Sequence, residues 1–160
     1  MTTEVAPPAT LLRSAVGETV RFADGLIRYK VTGDETHGHL ALAEARAPRG
    51  SGSPVHILCI EDEAWYILEG GLMFGPGEES RSAATGDFAT GPRGVRNRFR
   101  VDSETAHFLV LVTPAGFEDF TRAYGWPATG GNLPPPDVPP LGEREPAAAR
   151  RRHGTAIASP

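Results

Sequence analysis

The run GSGSPVHILCIEDEAWYILEG, residues 50–70, sets the tightest limit on what this 160-residue chain can fold into. Its glycines and proline leave room only for short extended segments, and on a β-strand side chains two apart share a face. His56 and Leu58 therefore look the same way, and a short turn at residues 60–62 lets Glu63 rejoin them. Trp65 and Ile67 extend that face along the next strand. An imidazole and a carboxylate walled by Leu, Trp and Ile are polar groups at the bottom of an apolar pocket, the usual build of a small-molecule site.

The same run carries a pattern. Gly50, His56, Glu63 and Gly70 fall at the fixed positions of the first cupin motif, G-x5-H-x-H-x4-E-x6-G. After a spacer of fifteen residues, Gly86, Pro92 and Gly94 fall at those of the second, G-x5-P-x-G-x2-H-x3-N. The chain thus resembles the cupin superfamily from about residue 33 to residue 120. With Glu61-Asp62-Glu63 and Pro114-Ala115-Gly116-Phe117-Glu118, it looks most like the quercetinase-like, single-domain branch. The resemblance implies an all-β fold, a double-stranded β-helix or jelly-roll barrel, with short C-terminal helices and pairing into a homodimer.

The departures bear on chemistry. Metal-binding cupins hold a divalent ion with three histidines and the glutamate. Here the second histidine position is Leu58, the motif-two histidine position is Asn97, and the closing asparagine position is Val101. Leucine has no lone pair, and an amide oxygen suits hard ions better than iron, copper or zinc. His56 and Glu63 alone fall short of the three ligands of open catalytic sites. The expectation is a degenerate motif with no metal and no cofactor, a divalent ion at His56 and Glu63 being the alternative.

Composition is consistent with one domain. With 39% hydrophobic residues, 19 glycines and 15 prolines, the chain reads as many short strands with irregular tails. A formal charge of −4 gives no general attraction to nucleic acid or anionic membranes. No apolar stretch approaches spanning length, and MTTEVAPPAT has no basic-then-apolar leader, so a cytoplasmic protein is expected. The single cysteine, Cys59, permits no internal disulfide; it is read as a small buried hydrophobe rather than a nucleophile, no basic group being paired with it.

In chain order, residues 1–15 form a flexible N-terminal arm, residues 16–116 the barrel, and residues 117–160 a helix, a Pro-rich segment and a tail packed on the barrel. Strands are predicted at residues 19–23 and 26–31, split by Asp24-Gly25 as a hairpin turn, then at 40–47, 64–68, 72–74 and 107–113, with residues 87–90 leading into Pro92-Arg93-Gly94. His37 and His39 are solvated turn residues, lacking a carboxylate or cysteine at ligand spacing, and His107 is structural. Period two puts Arg96, Arg98 and Arg100 outside and Asn97, Phe99 and Val101 on the other face, which the resemblance turns into the pocket. The arginines read as a solvated or dimer-facing ladder, one short stripe on an acidic chain being a poor nucleic-acid footprint. Residues 117–124 have helical spacing with Gly125 as the stop, residues 126–140 exclude a helix or central strand, and a last helix is predicted over 143–153.

Three functions follow. The leading one is a metal-independent enzyme doing general acid/base chemistry (isomerisation, cyclisation or dehydration) on a partly apolar, aromatic or polyketide-like metabolite. His56 is its acid or base, Glu63 orients the imidazole or shares the proton, and Asn97 holds a carbonyl through its amide N–H. Leu58, Trp65, Ile67, Phe99 and Val101 bind substrate. The alternatives are a metal-dependent quercetinase-like dioxygenase, with a ligand added from His37, His39 or His107, and a non-catalytic small-molecule binding cupin.

Overall fold

The period-two pattern of the sequence becomes two facing layers. The computed structural model describes residues 11–128, residue 133 and the backbone of residues 155–157. Its strands are β1 (Thr19–Phe22), β2 (Gly25–Val31), β3 (Ala41–Pro48), β4 (His56–Leu58), β5 (Asp62–Glu69) and β6 (Gly71–Phe74). They continue as β7 (Arg81–Ala84), β8 (Phe88–Gly91), β9 (Phe99–Val101), β10 (Thr105–Thr113), β11 (Trp126–Pro127) and β12 (Thr155–Ile157), with helix α1 (Phe117–Tyr124) between β10 and β11. One layer is a seven-stranded sheet in the order β11-β1-β2-β3-β10-β5-β8. The other joins β7-β6-β9 to the pair β12-β4 through backbone bridges at Gly52–Arg100 and His56–Asn97. Every pairing is antiparallel.

Burial follows the alternation. On β5, Glu63, Trp65 and Ile67 are buried while Tyr66 and Leu68 are exposed; on β10, Ala106, Phe108 and Val112 are buried. Ala45 and Ala47 of β3 are small enough to let Trp65, Ile67 and Phe108 reach Leu72 and Val101 of the opposite layer. Trp65 packs at 5.0 Å from Phe74 and 6.1 Å from Phe99, and Phe99 lies edge-on to Phe108 at 5.7 Å. Such tilted and edge-on contacts suit the ring quadrupoles.

The turn after β5 shows why the first motif closes on glycine. Gly70 has φ 83°, and a Cβ there would overlap the Thr105 carbonyl oxygen. Only glycine meets both demands.

Helix α1 seals the end of the barrel beside β1 and β2. Phe120 meets Phe22 at 5.7 Å and stacks on Phe117 at 5.5 Å, the shared side expected from the spacing. Arg122 sits 4.8 Å over the Tyr29 ring and ion-pairs with Glu18 at 2.9 Å. Burial pushes the Tyr29 phenol up to about 12. Gly125 caps the helix with its N–H donating to the Thr121 carbonyl.

Several expectations need correction. Cys59 is exposed, not buried: β4 stops at Leu58 and the chain bends through residues 59 and 60, so alternation no longer sets which way that side chain points. The first hairpin turns one residue earlier than expected, through Ala23 (φ 53°) and Asp24, and Gly25 opens β2. Residues 126–127 need none: they form an edge strand on β1, which excluding a helix or a central strand left open. The predicted helix at 143–153, residues 1–10 of the arm and most of the Pro-rich segment lie outside the described residues. No helix among the described residues is long and apolar enough to cross a membrane.

Candidate active site

β4 is three residues long and holds His56 by backbone bonds on one edge. The His56 N–H donates to the Asn97 carbonyl and the Asn97 N–H to the His56 carbonyl, both at 2.9 Å. On its other edge β4 pairs with β12, Ile57 lying opposite Ala156. The imidazole is fixed as firmly. Nδ1 lies 2.9 Å from the Pro54 carbonyl, which makes Nδ1 the donor, and Nε2 faces the Glu63 carboxylate at 3.5 Å. Burial works against a charge on His56, but the Glu63 carboxylate and the Pro54 carbonyl outweigh it and hold the imidazole above its ordinary value. His56 and Glu63 are both buried, at 9% and 7% exposure.

Asn97 comes to the same place from the opposite strand. Its Oδ1 accepts the Arg98 N–H at 2.8 Å, which orients the amide and sends Nδ2 toward Gly91 and the Trp65 ring. A Cβ on Gly91 would clash with Nδ2, so the glycine leaves the space the amide occupies. Thus the strand alternation read from the sequence brings His56, Glu63, Asn97 and Trp65 together.

The remaining expected wall residues are packed. Leu58, Ile67 and Val101 are 4%, 0% and 1% exposed, and Phe99 lies in the aromatic cluster described above. Two clefts mark the surface, one lined by Thr19, Leu26, Arg28, Glu44 and Arg46, the other by Met73, Gly75, Gly77, Ser80, Arg98 and Arg100. Neither reaches His56 or Glu63. The apolar lining expected from the sequence is therefore present and buried beside the pair.

Two acidic groups escaped the sequence reading. Glu61 is 4% exposed and its Oε2 has no hydrogen-bond partner. Burial pushes its carboxyl up, and the charges of Glu63 and Glu118 add to the shift. The signal was its i, i+2 relation to Glu63 across Asp62, which points outward to Arg93 at 2.6 Å and is held down to about 2 by that guanidinium. Glu44, on the outer face of the large sheet, accepts from His107 at 2.6 Å and pairs with Lys30 at 2.9 Å. Burial opposes its charge, yet the hydrogen bonds from Lys30 and His107 hold the carboxyl below its usual range. His107 is thus a hydrogen-bond partner of Glu44, and His37 and His39 are exposed on a turn.

The donor set at His56 does not fit an open transition-metal centre. Among the described residues no group of three His, Cys, Asp or Glu side chains is placed to hold a metal ion; at His56 one imidazole nitrogen and one carboxylate are offered where three ligands are needed.

No family model matches the chain. Among curated proteins it is 26% identical over 124 residues to quercetin 2,3-dioxygenase of Bacillus subtilis (strain 168), covering 78% of this chain and 37% of that protein. The chain thus spans little over a third of that relative. Among solved structures, a protein described as a predicted oxalate decarboxylase from Thermotoga maritima superposes with a TM-score of 0.60 at 18% identity, over 66% of this chain and 99% of that one. A sugar phosphate isomerase of the cupin superfamily from Silicibacter pomeroyi gives 0.51 at 21%, over 60% and 71%. The chain folds as a cupin. KdgF from Halomonas sp. shares the fold, with a TM-score of 0.53 at 14% identity over 60% of this chain and 84% of that chain.

Proposed function

We propose that this cupin is a small-molecule enzyme that moves protons without a metal, acting on a partly apolar aromatic or polyketide-like carbonyl compound. The observation that carries the reading is the buried His56–Glu63 pair at 3.5 Å, with Nδ1 tied to Pro54 so that Nε2 is the working nitrogen. A pair of this kind takes a proton from carbon or oxygen and returns it one atom away, which covers isomerisation, cyclisation and dehydration. The Asn97 amide N–H supports an oxygen on which charge builds. Trp65, Leu58 and Phe99 keep water from the exchange.

The test uses aromatic hydroxyketones, with quercetin as first probe because the curated relative is named for it. Turnover and deuterium uptake from heavy water are followed by mass spectrometry in the wild type and in His56→Ala. General acid/base catalysis contributes about 10²- to 10⁴-fold, and His56→Ala should lose at least that much; full turnover by the variant refutes the assignment. The alignment favours a second reading, a metal-dependent dioxygenase. Oxygen uptake together with stoichiometric iron, copper, nickel or manganese in protein purified without chelator would replace the first reading by this one. Ligand-induced thermal stabilisation with no product would instead make it a binding cupin. A homodimer is part of the proposal, supported by the exposed apolar side chains Tyr66, Leu68 and Phe88 on the outer face of the large sheet; sedimentation tests it.

A further inference from the structure

Three carboxylates crowd the end of the barrel where β5 begins and α1 starts, and they differ in how they are satisfied. Glu63 faces His56. Glu118 accepts two backbone N–H groups at 2.8 Å, Gly33 on Oε1 and Gly116 on Oε2. Glu61 has neither arrangement. It is 4% exposed and its buried Oε2 has no partner, while a Cβ on Gly116 would come within 3.7 Å of its Oε1, so that side is walled.

Native chains leave few buried polar atoms unsatisfied, and such an atom calls for an explanation. A leucine at position 61 would fill the same space with no orphaned oxygen. A carboxyl kept there suits a partner that is not part of the chain. Glu61 also lies near enough to Glu63 for the two carboxyl groups to feel each other's charge, with Asp62 between them turned outward to Arg93.

We infer that Glu61 is a ligand-binding residue of the His56–Glu63 site, and that its Oε2 takes a hydroxyl of the bound molecule. This rests on the proposed function for the site but goes beyond it, because it specifies a hydroxylated ligand rather than a merely apolar ketone. A hydroxyl both donates and accepts, so it satisfies Oε2 whether or not the carboxyl holds a proton. In a water-poor pocket, an O–H bonded to a carboxylate is among the stronger hydrogen bonds available.

The test compares quercetin with flavone, the same ring skeleton without hydroxyls, by calorimetric titration of the wild type, Glu61→Leu and Glu61→Gln. The wild type should bind quercetin more tightly than flavone. Glu61→Leu should lose at least tenfold in quercetin affinity with flavone unchanged, and Glu61→Gln should fall between. The Tm of unliganded Glu61→Leu should equal or exceed that of the wild type, because an orphaned oxygen has been removed. Equal quercetin binding by wild type and Glu61→Leu overturns the inference alone, as would happen if Oε2 merely holds a buried water; the role of His56 is read separately from His56→Ala. A Glu61→Leu protein that is less stable, fails to fold, or loses both ligands equally shows a structural role and overturns it too. A wild type that binds neither probe overturns both the inference and the aromatic ligand class.

Discussion

Glu118 ties the only α-helix among the described residues to the barrel, and replacing it measures that joint. Its carboxylate accepts Gly33 N–H from the turn after β2 and Gly116 N–H at the mouth of α1, each at 2.8 Å, and the residue is 6% exposed. Hydrogen bonds to a charged group contribute roughly 1.5–3 kcal/mol each, and a buried donor left without a partner costs a similar amount. Glu118→Gln preserves volume and one acceptor but turns an NH2 toward the other N–H, so one bond of the pair is lost. The expected destabilisation is about 2–3 kcal/mol. Glu118→Ala loses both, and about 3–5 kcal/mol is expected. For a chain of this size 1 kcal/mol corresponds to about 2–4 °C in Tm, so the glutamine variant should melt about 5–10 °C early. Urea unfolding with an unchanged m-value measures the free energy, and exchange of the Gly33 amide reports the joint itself. A Glu118→Gln protein within about 0.5 kcal/mol of wild type, with Gly33 still protected, would refute the reasoning, since surface-like substitutions give changes of that size.

Other outcomes follow from the same coordinates. By NMR, His56 should titrate above the ordinary value of 6.5, and Glu63→Gln should move it down. Because the folded value is the raised one, the stability this pair contributes is full below about pH 6.5 and is lost as pH rises through the folded value; a midpoint that climbs over that window would contradict the pairing. Trp65→Ala, removing a side chain 1% exposed between the layers, should destabilise by about 3–5 kcal/mol, measured by urea unfolding; a loss under 1 kcal/mol would mean the aromatic cluster is not packed as described. Cys59 should react with a thiol reagent in the native protein at the rate of an exposed thiol; protection until denaturation would place it back inside.

Fold and site were legible to different depths. The motif residues act through the backbone: Gly70 must bend, β5 must alternate, and such demands leave a readable period in the chain. Hence His56, Glu63, Asn97 and Trp65 could be brought together before any coordinates. Cys59 failed because alternation holds only while a strand lasts, and β4 ends one residue before it. Glu61 was passed over because its peculiarity is an unmet hydrogen bond, which depends on what the fold places around it rather than on any local pattern. The Glu44–His107–Lys30 cluster needs the β2-β3-β10 register to exist at all, since Glu44 and His107 are 63 positions apart in sequence.

The three-residue strand carrying His56 has consequences for how the protein is made. Its neighbours on the two edges, Asn97 and the strand at Thr155–Ile157, lie about forty and about a hundred residues further along the chain. Contacts so remote in sequence form late, after loop closure has been overcome. A nascent chain can therefore pair β1 with β2 and β3 early, yet the histidine gains its full support only once synthesis has passed Ile157.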